Sequence, residues 1–463
     1  MNAPAFPQHA ISLNPTTGET LAHYPFEQAA ELEQALARTA KAFKGWRATS
    51  IADRGAVLLK MAAALRANLE PMARMAALEM GKPIAQGRAE VEKCAGLCEW
   101  YAQHGPAILQ PEKTLVENDK AYVAYLPLGA VLAVMPWNFP MWQVLRGAIP
   151  IILAGNTYVL KHAPNIMGCA YLLRDAWAEA GLPEGVFEVI NVTPEGVSVA
   201  IADPRIAAVA VTGSVRAGSA IASQAGAALK KCILELGGSD PFIVLADADL
   251  DEAAKAATVG RFQNSGQVCV AAKRIIVEES VMEAFTAKFL AAVKALKVGD
   301  PLAEDTYIGP MARYDLRDEL DAQVQKTLSE GATLILGGHK VAGAGNYYEP
   351  TVLADVRPGM TSFVEELFGP VASLITARDV EHAVELANDS DFGLAGSVWT
   401  ADVALAKDIA SRLETGGVFI NGYTASDARV PIGGVKKSGF GRELSHFGLH
   451  EFCNAQTVWI DRR

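Results

Sequence analysis

The residues best equipped for chemistry in this 463-residue chain are a cysteine, a carboxylate and a side-chain amide, each set among polar, aromatic or glycine neighbours. Of six cysteines, only Cys269 ends a stretch such as Phe262-Gln263-Asn264-Ser265-Gly266-Gln267-Val268-Cys269, which follows a run with helical spacing. Glu235 sits in Leu234-Glu235-Leu236-Gly237-Gly238, and Asn138 in Pro136-Trp137-Asn138-Phe139-Pro140. A thiol, a carboxylate and an amide donor are the parts needed for thioester chemistry on a carbonyl: a nucleophile, a base for water and a partner for the oxyanion. The thiolate is the attacking form, so a lowered pKa or a nearby base is expected at Cys269. Taken singly, each residue also has a plainer explanation: a buried structural thiol, a salt-bridged glutamate, and a turn asparagine before proline. For Glu235 alone the plainer one is the stronger. The expectation that organises the rest is that the three converge in space.

A possible anion site lies in Val209-Ala210-Val211-Thr212-Gly213-Ser214-Val215-Arg216-Ala217-Gly218, which runs from a strand through a glycine turn into a helix. Glycine lets the backbone approach an anion, and a helix start offers free N–H groups and the positive end of the dipole. The pattern is neither G-x-G-x-x-G nor a P-loop, so an anion site and an ordinary turn are equally supported.

These residues need elements to position them. Residues 27–80 have helical spacing closed by Gly81-Lys82-Pro83, and 84–104 read as another helix. Residues 121–126 alternate as a strand does. From 130 to 250, short β runs (131–135, 157–160, 186–190, 207–212, 231–235) alternate with helical ones (167–180, 196–202, 218–224), the signature of a parallel sheet covered on both faces. Such sheets bind ligands beyond the carboxyl ends of their strands. Beyond about 240, helices at 249–261 and 281–296 and strands at 274–277, 333–336 and 371–376 predict a second α/β unit. Residues 455–460 predict a terminal strand that must pair with an edge in its own chain or in another subunit.

Composition narrows the function classes. The 41 basic and 52 acidic residues give a formal net charge of −11, which argues against a nucleic-acid surface. The longest apolar runs fall well short of the ~18 residues of a membrane span, and the first residues carry no secretory pattern. A cytoplasmic protein with reduced cysteines is expected. Cys94 and Cys98, one helical turn apart, read as small core residues. His446 and His450 read as structural or surface residues, and no metal site is expected.

Read together, Pro136–Pro140, Leu160-Lys161, Val211–Ser214, Leu234–Gly238, Gly266–Cys269, Glu365-Glu366-Leu367-Phe368-Gly369-Pro370 and Pro431-Ile432-Gly433-Gly434-Val435-Lys436-Lys437-Ser438-Gly439 resemble the aldehyde dehydrogenase superfamily over nearly the whole chain, from Asn14-Pro15-Thr16-Thr17-Gly18-Glu19 onward. The resemblance implies an α/β fold with a Rossmann-type cofactor domain (1–107 and 128–237), an α/β catalytic domain (238–440) and a small β oligomerisation extension (108–127 and 441–463). It implies Cys269 as nucleophile, Glu235 as general base and Asn138 as oxyanion donor. It also implies NAD or NADP as cofactor, with Lys161 and Glu366 on the ribose hydroxyls, Gly213, Ser214 and Gly218 at the pyrophosphate turn, and Trp137 and Phe368 along the cofactor.

More narrowly, 147–156, Lys161-His162-Ala163-Pro164, Ser426-Asp427-Ala428-Arg429 and Ser445-His446-Phe447-Gly448-Leu449-His450-Glu451-Phe452 resemble the short bacterial succinate-semialdehyde dehydrogenases. That likeness implies Arg146 as a clamp on the substrate carboxylate, with Trp142, Ser426 and Arg429 beside it, and a homodimer or homotetramer. Three positions depart from the pattern. Ala271 replaces a second cysteine, Gln263 replaces a second carboxylate-binding arginine, for which Arg261, Arg429 or Ser426 are candidates to compensate, and Pro164 replaces a glutamate common in NAD-preferring members. The alternatives are oxidation of glutarate semialdehyde or an uncharged aliphatic aldehyde, a phosphate- or CoA-dependent acylating enzyme, and a catalytically silent scaffold protein.

Overall fold

The structure, a computed structural model, describes residues 8–461. Two sheets carry the site. The first has six strands in the order Gly439–Phe440, Lys231–Glu235, Ile206–Thr212, Ala130–Val134, Thr157–Lys161, Phe187–Val189. All neighbours are parallel except the edge pair of Gly439–Phe440 with Lys231–Glu235. From Ala130–Val134, the next strands in sequence lie on one side and Ile206–Thr212 and Lys231–Glu235 on the other. The order therefore reverses beside Ala130–Val134, the topological switch point at which doubly wound sheets bind ligands.

The second sheet has seven strands in the order Thr333–Leu336, Thr351–Ala354, Val371–Ala377, Ala272–Glu278, Asp240–Val244, Gly396–Trp399, Val418–Ile420. Only Thr333–Leu336 runs antiparallel to its neighbour. The carboxyl ends of the first sheet meet the amino ends of the second: a Cβ on Gly238, just before Asp240–Val244, would lie 2.7 Å from the Cys269 carbonyl oxygen, just before Ala272–Glu278.

Helices cover the sheets as the alternation predicts. The stretch 27–80 resolves into Ala29–Trp46, Ile51–Ala67 and Leu69–Met80. Ser50 caps the second, its side chain accepting from the Asp53 N–H at 3.1 Å. Gly81 ends the third with φ +77, a left-handed conformation that glycine adopts without strain. The helix Ile84–Ile108 follows. Of the elements that the sequence pattern did not anticipate, two have a clear physical reason. Trp142–Leu153 is a helix buried along its whole length, and Pro150 inside it argues against a helix when read from sequence. Asp240–Val244 is a central strand despite Pro241, tolerated because the register shifts between Asp240 and Pro241.

The terminal strand, Cys453–Trp459, finds its edge within the chain. It pairs antiparallel with Ala121–Pro127, which also pairs with Glu112–Lys113. Cys94 and Cys98 are fully buried in the core, and His450 stacks on Tyr125 with centroids 3.7 Å apart. Among the described residues, no helix is long and apolar enough to cross a membrane, and no group of His, Cys, Asp and Glu could hold a metal ion.

Candidate active site

The turns at the carboxyl ends of the first sheet hold most of the residues singled out from the sequence. Ala130–Val134 leads into Trp137 and Asn138, Thr157–Lys161 ends on Lys161, Ile206–Thr212 leads into Gly213 and Ser214, and Lys231–Glu235 ends on Glu235. A cleft of about 660 Å³ opens there, lined among others by Trp137, Asn138, Gly213, Ser214, Glu366 and Phe368, with the half-buried Cys269 also on its wall.

Cys269 reaches that wall through an unusual backbone. The helix Leu250–Phe262 ends, and Asn264, Ser265 and Gly266 follow with φ of +55, +56 and +71. Two successive non-glycine residues in the left-handed region are costly unless the surroundings over-determine them. Here Asn264 N–H donates to Gln86 Oε1 at 2.8 Å, Asn264 Nδ2 to the Asn138 carbonyl at 2.7 Å, and Ser265 Oγ to the Gly309 carbonyl at 3.0 Å. Arg261 supplies the main clamp. Fully buried, its guanidinium donates to the carbonyls of Val371 (2.5 Å), Leu367 (3.0 Å), Gly266 (3.1 Å) and Gly369. At Gly266 a Cβ would strike the Gly369 carbonyl, so no side chain fits. Arg261 is thereby corrected as a candidate to compensate for Gln263: its donors are spent on backbone.

Lys273, which sequence reasoning missed, secures the other flank. Its Nζ donates to the carbonyls of Val268 at 2.9 Å and Cys269 at 2.7 Å, and pairs with Glu366 Oε1 at 3.0 Å. Glu366 Oε1 also accepts the Gly238 N–H at 3.1 Å, and a Cβ on Gly237 would strike its carboxylate. The nucleophile loop and Glu366 are thus tied to one ammonium group.

Asn138 Nδ2 donates to the Gln267 carbonyl at 3.0 Å, which places the amide beside the turn that presents Cys269. One Nδ2 hydrogen remains for an oxyanion, and among the described residues no protein acceptor takes the Cys269 N–H. Behind Asn138, Glu90 Oε1 accepts the N–H groups of Met141 and Trp142 at 2.8 and 2.9 Å. Its partner Lys82 lies over the Phe139 ring, 3.8 Å from the centroid.

Glu235 is buried, with Oε2 3.7 Å from Arg146 Nη2 and Oε1 without a hydrogen-bond partner. Burial holds its pKa well above the ordinary carboxylate range, at about 8, with Arg146 pulling the other way and Glu443 pushing further up. Burial likewise pushes the Cys269 thiol up to about 11, opposed by the charges of Arg146 and Lys273 and reinforced by Glu235, whose field therefore reaches the sulfur.

Arg146, expected to grip a substrate carboxylate, is buried instead between carboxylates. Its Nε faces Glu443 Oε2 on one side, and Glu235 lies on the other. Its charge is matched by these two carboxylates, although Nε and Nη2 have no hydrogen-bond partner of good geometry among the described residues. Arg429 is exposed and paired with Asp427 at 2.8 Å, and is not on the cleft wall. Ser426 accepts from Lys93 Nζ at 2.7 Å, and Trp142 lies under the same ammonium, its ring centroid 4.1 Å away. Gly218 is not at the cleft either. It is a glycine because a Cβ there would collide with Leu236 where helix Val215–Ala227 packs on the sheet.

The cleft fits a dinucleotide. Ser214 caps a helix whose start faces the switch point, accepting the Ala217 N–H at 3.3 Å, and a Cβ on Gly213 would meet open space. Trp137 and Phe368 stand edge to face, with centroids 5.6 Å apart. Lys161 has no carboxylate partner among the described residues, and burial alone lowers its pKa to about 8.

A thiol on the wall of a dinucleotide-shaped cleft, an amide beside it and a buried carboxylate with a free oxygen are the parts of a thioester-forming oxidation. The model of the aldehyde dehydrogenase family matches residues 5–458. The chain belongs to the aldehyde dehydrogenase family. It is 64% identical over 454 residues to a succinate semialdehyde dehydrogenase [NAD(P)+], Sad, of Escherichia coli, covering 98% of each chain. It is 46% identical to a probable succinate-semialdehyde dehydrogenase [NADP(+)] of Synechocystis, covering 97% of this chain and 99% of the other. Its fold matches the succinic semialdehyde dehydrogenase of Streptococcus pyogenes in complex with NADP+ with a TM-score of 0.95, at 34% identity and with 97% and 99% of the two chains covered. The family's α/β architecture is therefore the architecture of this chain.

Replacing Arg261 by Met leaves four buried carbonyls without their donor. An unsatisfied buried acceptor costs about 1–3 kcal/mol, so a loss of at least about 3 kcal/mol in unfolding free energy by urea titration is expected. Iodoacetamide should also label Cys269 faster in the native variant. Unchanged stability would show that the turn is held by other contacts.

Proposed function

We propose that this aldehyde dehydrogenase oxidises succinate semialdehyde to succinate with NAD(P)+. The observation that carries the proposal is Cys269 on the cleft wall with the Asn138 amide and the buried Glu235 acting on it; the relatives named above support the choice of substrate. NAD(P)+, when bound, accepts the hydride. Trp137 and Phe368 would line it, Glu366 and Lys161 would hold its ribose hydroxyls, and Gly213 and Ser214 its pyrophosphate.

The chain's own residues do the rest. With its thiol raised to about 11, Cys269 must first pass its proton to Glu235, from which it is lost to solvent; Sγ then attacks the aldehyde carbon as thiolate, and the oxyanion forms facing Asn138 Nδ2 and the Cys269 N–H. A positioned donor of this kind typically contributes ~10²–10³ in rate. As the carbonyl re-forms, hydride departs from carbon and a thioester remains on Cys269. Glu235 then takes a proton from water, the hydroxide displaces sulfur, and the acid leaves. Water activation by Glu235 speaks against a phosphate- or CoA-dependent acylating reaction. Arg146 holds Glu235 and Glu443 in place and offsets their charge. The chain divides functionally at about residue 238 into cofactor and catalytic parts, and the exposed outer edge of Cys453–Trp459 suits strand pairing with a second copy in a dimer or tetramer. Six free cysteines, four of them fully or nearly fully buried, suit the reducing cytoplasm.

Cys269→Ala is expected to abolish turnover while NAD(P)+ still quenches tryptophan fluorescence. Glu235→Gln should give a single burst of NAD(P)H and then stall as acyl-enzyme; normal steady turnover in that variant would overturn the assignment of the base. Because the Glu235 pKa is raised, the base is protonated at low pH and ionises as pH climbs toward about 8. The deacylation rate should therefore rise through the neutral range and level off above it. A flat profile from pH 6 to 9 would contradict a base in that environment. Arg146→Lys should lower kcat for charged and uncharged aldehydes alike, whereas a loss confined to succinate semialdehyde would return Arg146 to the role of carboxylate clamp.

A further inference from the structure

An acid such as succinate semialdehyde brings a carboxylate that must meet a cation within a few carbons of the sulfur. The cations nearest the site are mostly occupied. Arg261 gives its donors to four backbone carbonyls, Arg146 lies between Glu443 and Glu235, Lys273 holds Glu366 and two carbonyls, and Arg429 is paired with Asp427.

Lys93 differs. It projects from the helix Ile84–Ile108 with its side chain part exposed, while burial of the ammonium and the nearby Arg146 lower its pKa to about 8; no carboxylate lies within ion-pair distance among the described residues, and its Nζ donates to Ser426 Oγ at 2.7 Å while sitting 4.1 Å from the Trp142 ring centroid. The carboxylates that do act on it are already used: Glu90, three residues earlier on the same helix, by Lys82 and the Met141 and Trp142 amides, and Asp427 by Arg429. Its place relative to the sulfur follows from one helix. Trp142 and Arg146 are one turn apart on Trp142–Leu153, and Arg146 lies within electrostatic reach of both Lys93 and Cys269. The Lys93–Ser426–Trp142 corner thus lies beside Arg146, outside the wall of the cleft that Cys269 shares with Glu366 and Phe368.

We propose that Lys93, with the Ser426 hydroxyl, is the specificity-determining group that binds the distal carboxylate of a short ω-semialdehyde, in place of the arginine that Gln263 lacks. This rests on the semialdehyde function proposed above. An ammonium has three donors, so Lys93 can keep Ser426 and still donate to a carboxylate oxygen, while Ser426 turns its own O–H toward the second oxygen. The Trp142 face under the ammonium holds it in place by cation–π attraction. Exposure makes the site reachable, and the lack of a paired carboxylate means that no internal ion pair must break when substrate arrives.

The test compares succinate semialdehyde with butanal, which has the same chain length and no carboxylate, in the wild-type enzyme, Lys93→Met and Lys93→Arg. Lys93→Met should raise KM for succinate semialdehyde about tenfold or more, with kcat nearly unchanged and butanal kinetics unaffected, as expected for loss of one charge-assisted hydrogen bond. Lys93→Arg should restore most of the loss. Wild-type preference for succinate semialdehyde that survives intact in Lys93→Met, or an equal loss on both aldehydes, overturns the role of Lys93 alone. Equal kcat/KM for the two aldehydes in the wild-type enzyme overturns the semialdehyde function and this proposal with it.

Discussion

Everything at this site depends on a buried guanidinium holding a backbone turn in a conformation that it would not keep by itself. Asn264 and Ser265 adopt left-handed angles without the freedom of glycine, and Gly266 lies against the Gly369 carbonyl with no room for a side chain. A free chain leaves that geometry readily. Arg261 prevents this by donating to carbonyls on both sides of the turn, from Gly266 and from the strand approach at 367–371. Burying a charge is costly unless it is well hydrogen-bonded, and four carbonyl oxygens meet that condition here. The desolvation cost is visible in the Arg261 pKa, which burial lowers to about 9. That cost is spent on fixing where Cys269 points.

The two sheets convert this local constraint into an active site. The first sheet offers its carboxyl ends, where Asn138, Lys161, Ser214 and Glu235 emerge, and the second offers its amino ends, where the nucleophile turn enters Ala272–Glu278. Strand Gly439–Phe440 returns to pair with Lys231–Glu235, with Gly439 opposite Glu235 itself, so the strand carrying the base is held from both sides. Lys273 then joins the nucleophile loop to Glu366 across the seam. Packing the turns this closely explains the small residues there, since Gly237 and Gly238 have no room for a Cβ beside Glu366 and Cys269.

Much of this was legible in the sequence because it rests on local chemistry. The alternation of short strands and helices, the stop at Gly81 and the strand ends at Lys161 and Glu235 follow from periodicity and turn residues. Two of the elements that were not legible carry signals that point the other way. Trp142–Leu153 carries Pro150 within a buried helix, and Asp240–Val244 carries a proline that a central strand would ordinarily exclude. Gly218 has the residue type of an anion-binding turn, but its cause is the Leu236 side chain beneath it, a contact set by packing between elements.

The cations show where sequence reasoning stops. Arg146, Arg261, Arg429, Lys93 and Lys273 are all candidates for the same task and all carry the same charge. What separates them is who already holds them: two buried carboxylates, four carbonyls, a neighbouring aspartate, a hydroxyl and a tryptophan face, or a glutamate and two carbonyls. A guanidinium is well suited to carbonyls and carboxylates in fixed directions, and an ammonium to a compact, rotatable contact. The arginines are accordingly spent on structure or on surface pairing, and the lysines are the groups left to meet Glu366 and the solvent side of Trp142. On the role proposed for Lys93, a carboxylate arriving from solution is drawn to a charge that no carboxylate of the protein already neutralises, so partner geometry would set specificity more than residue type or proximity in sequence.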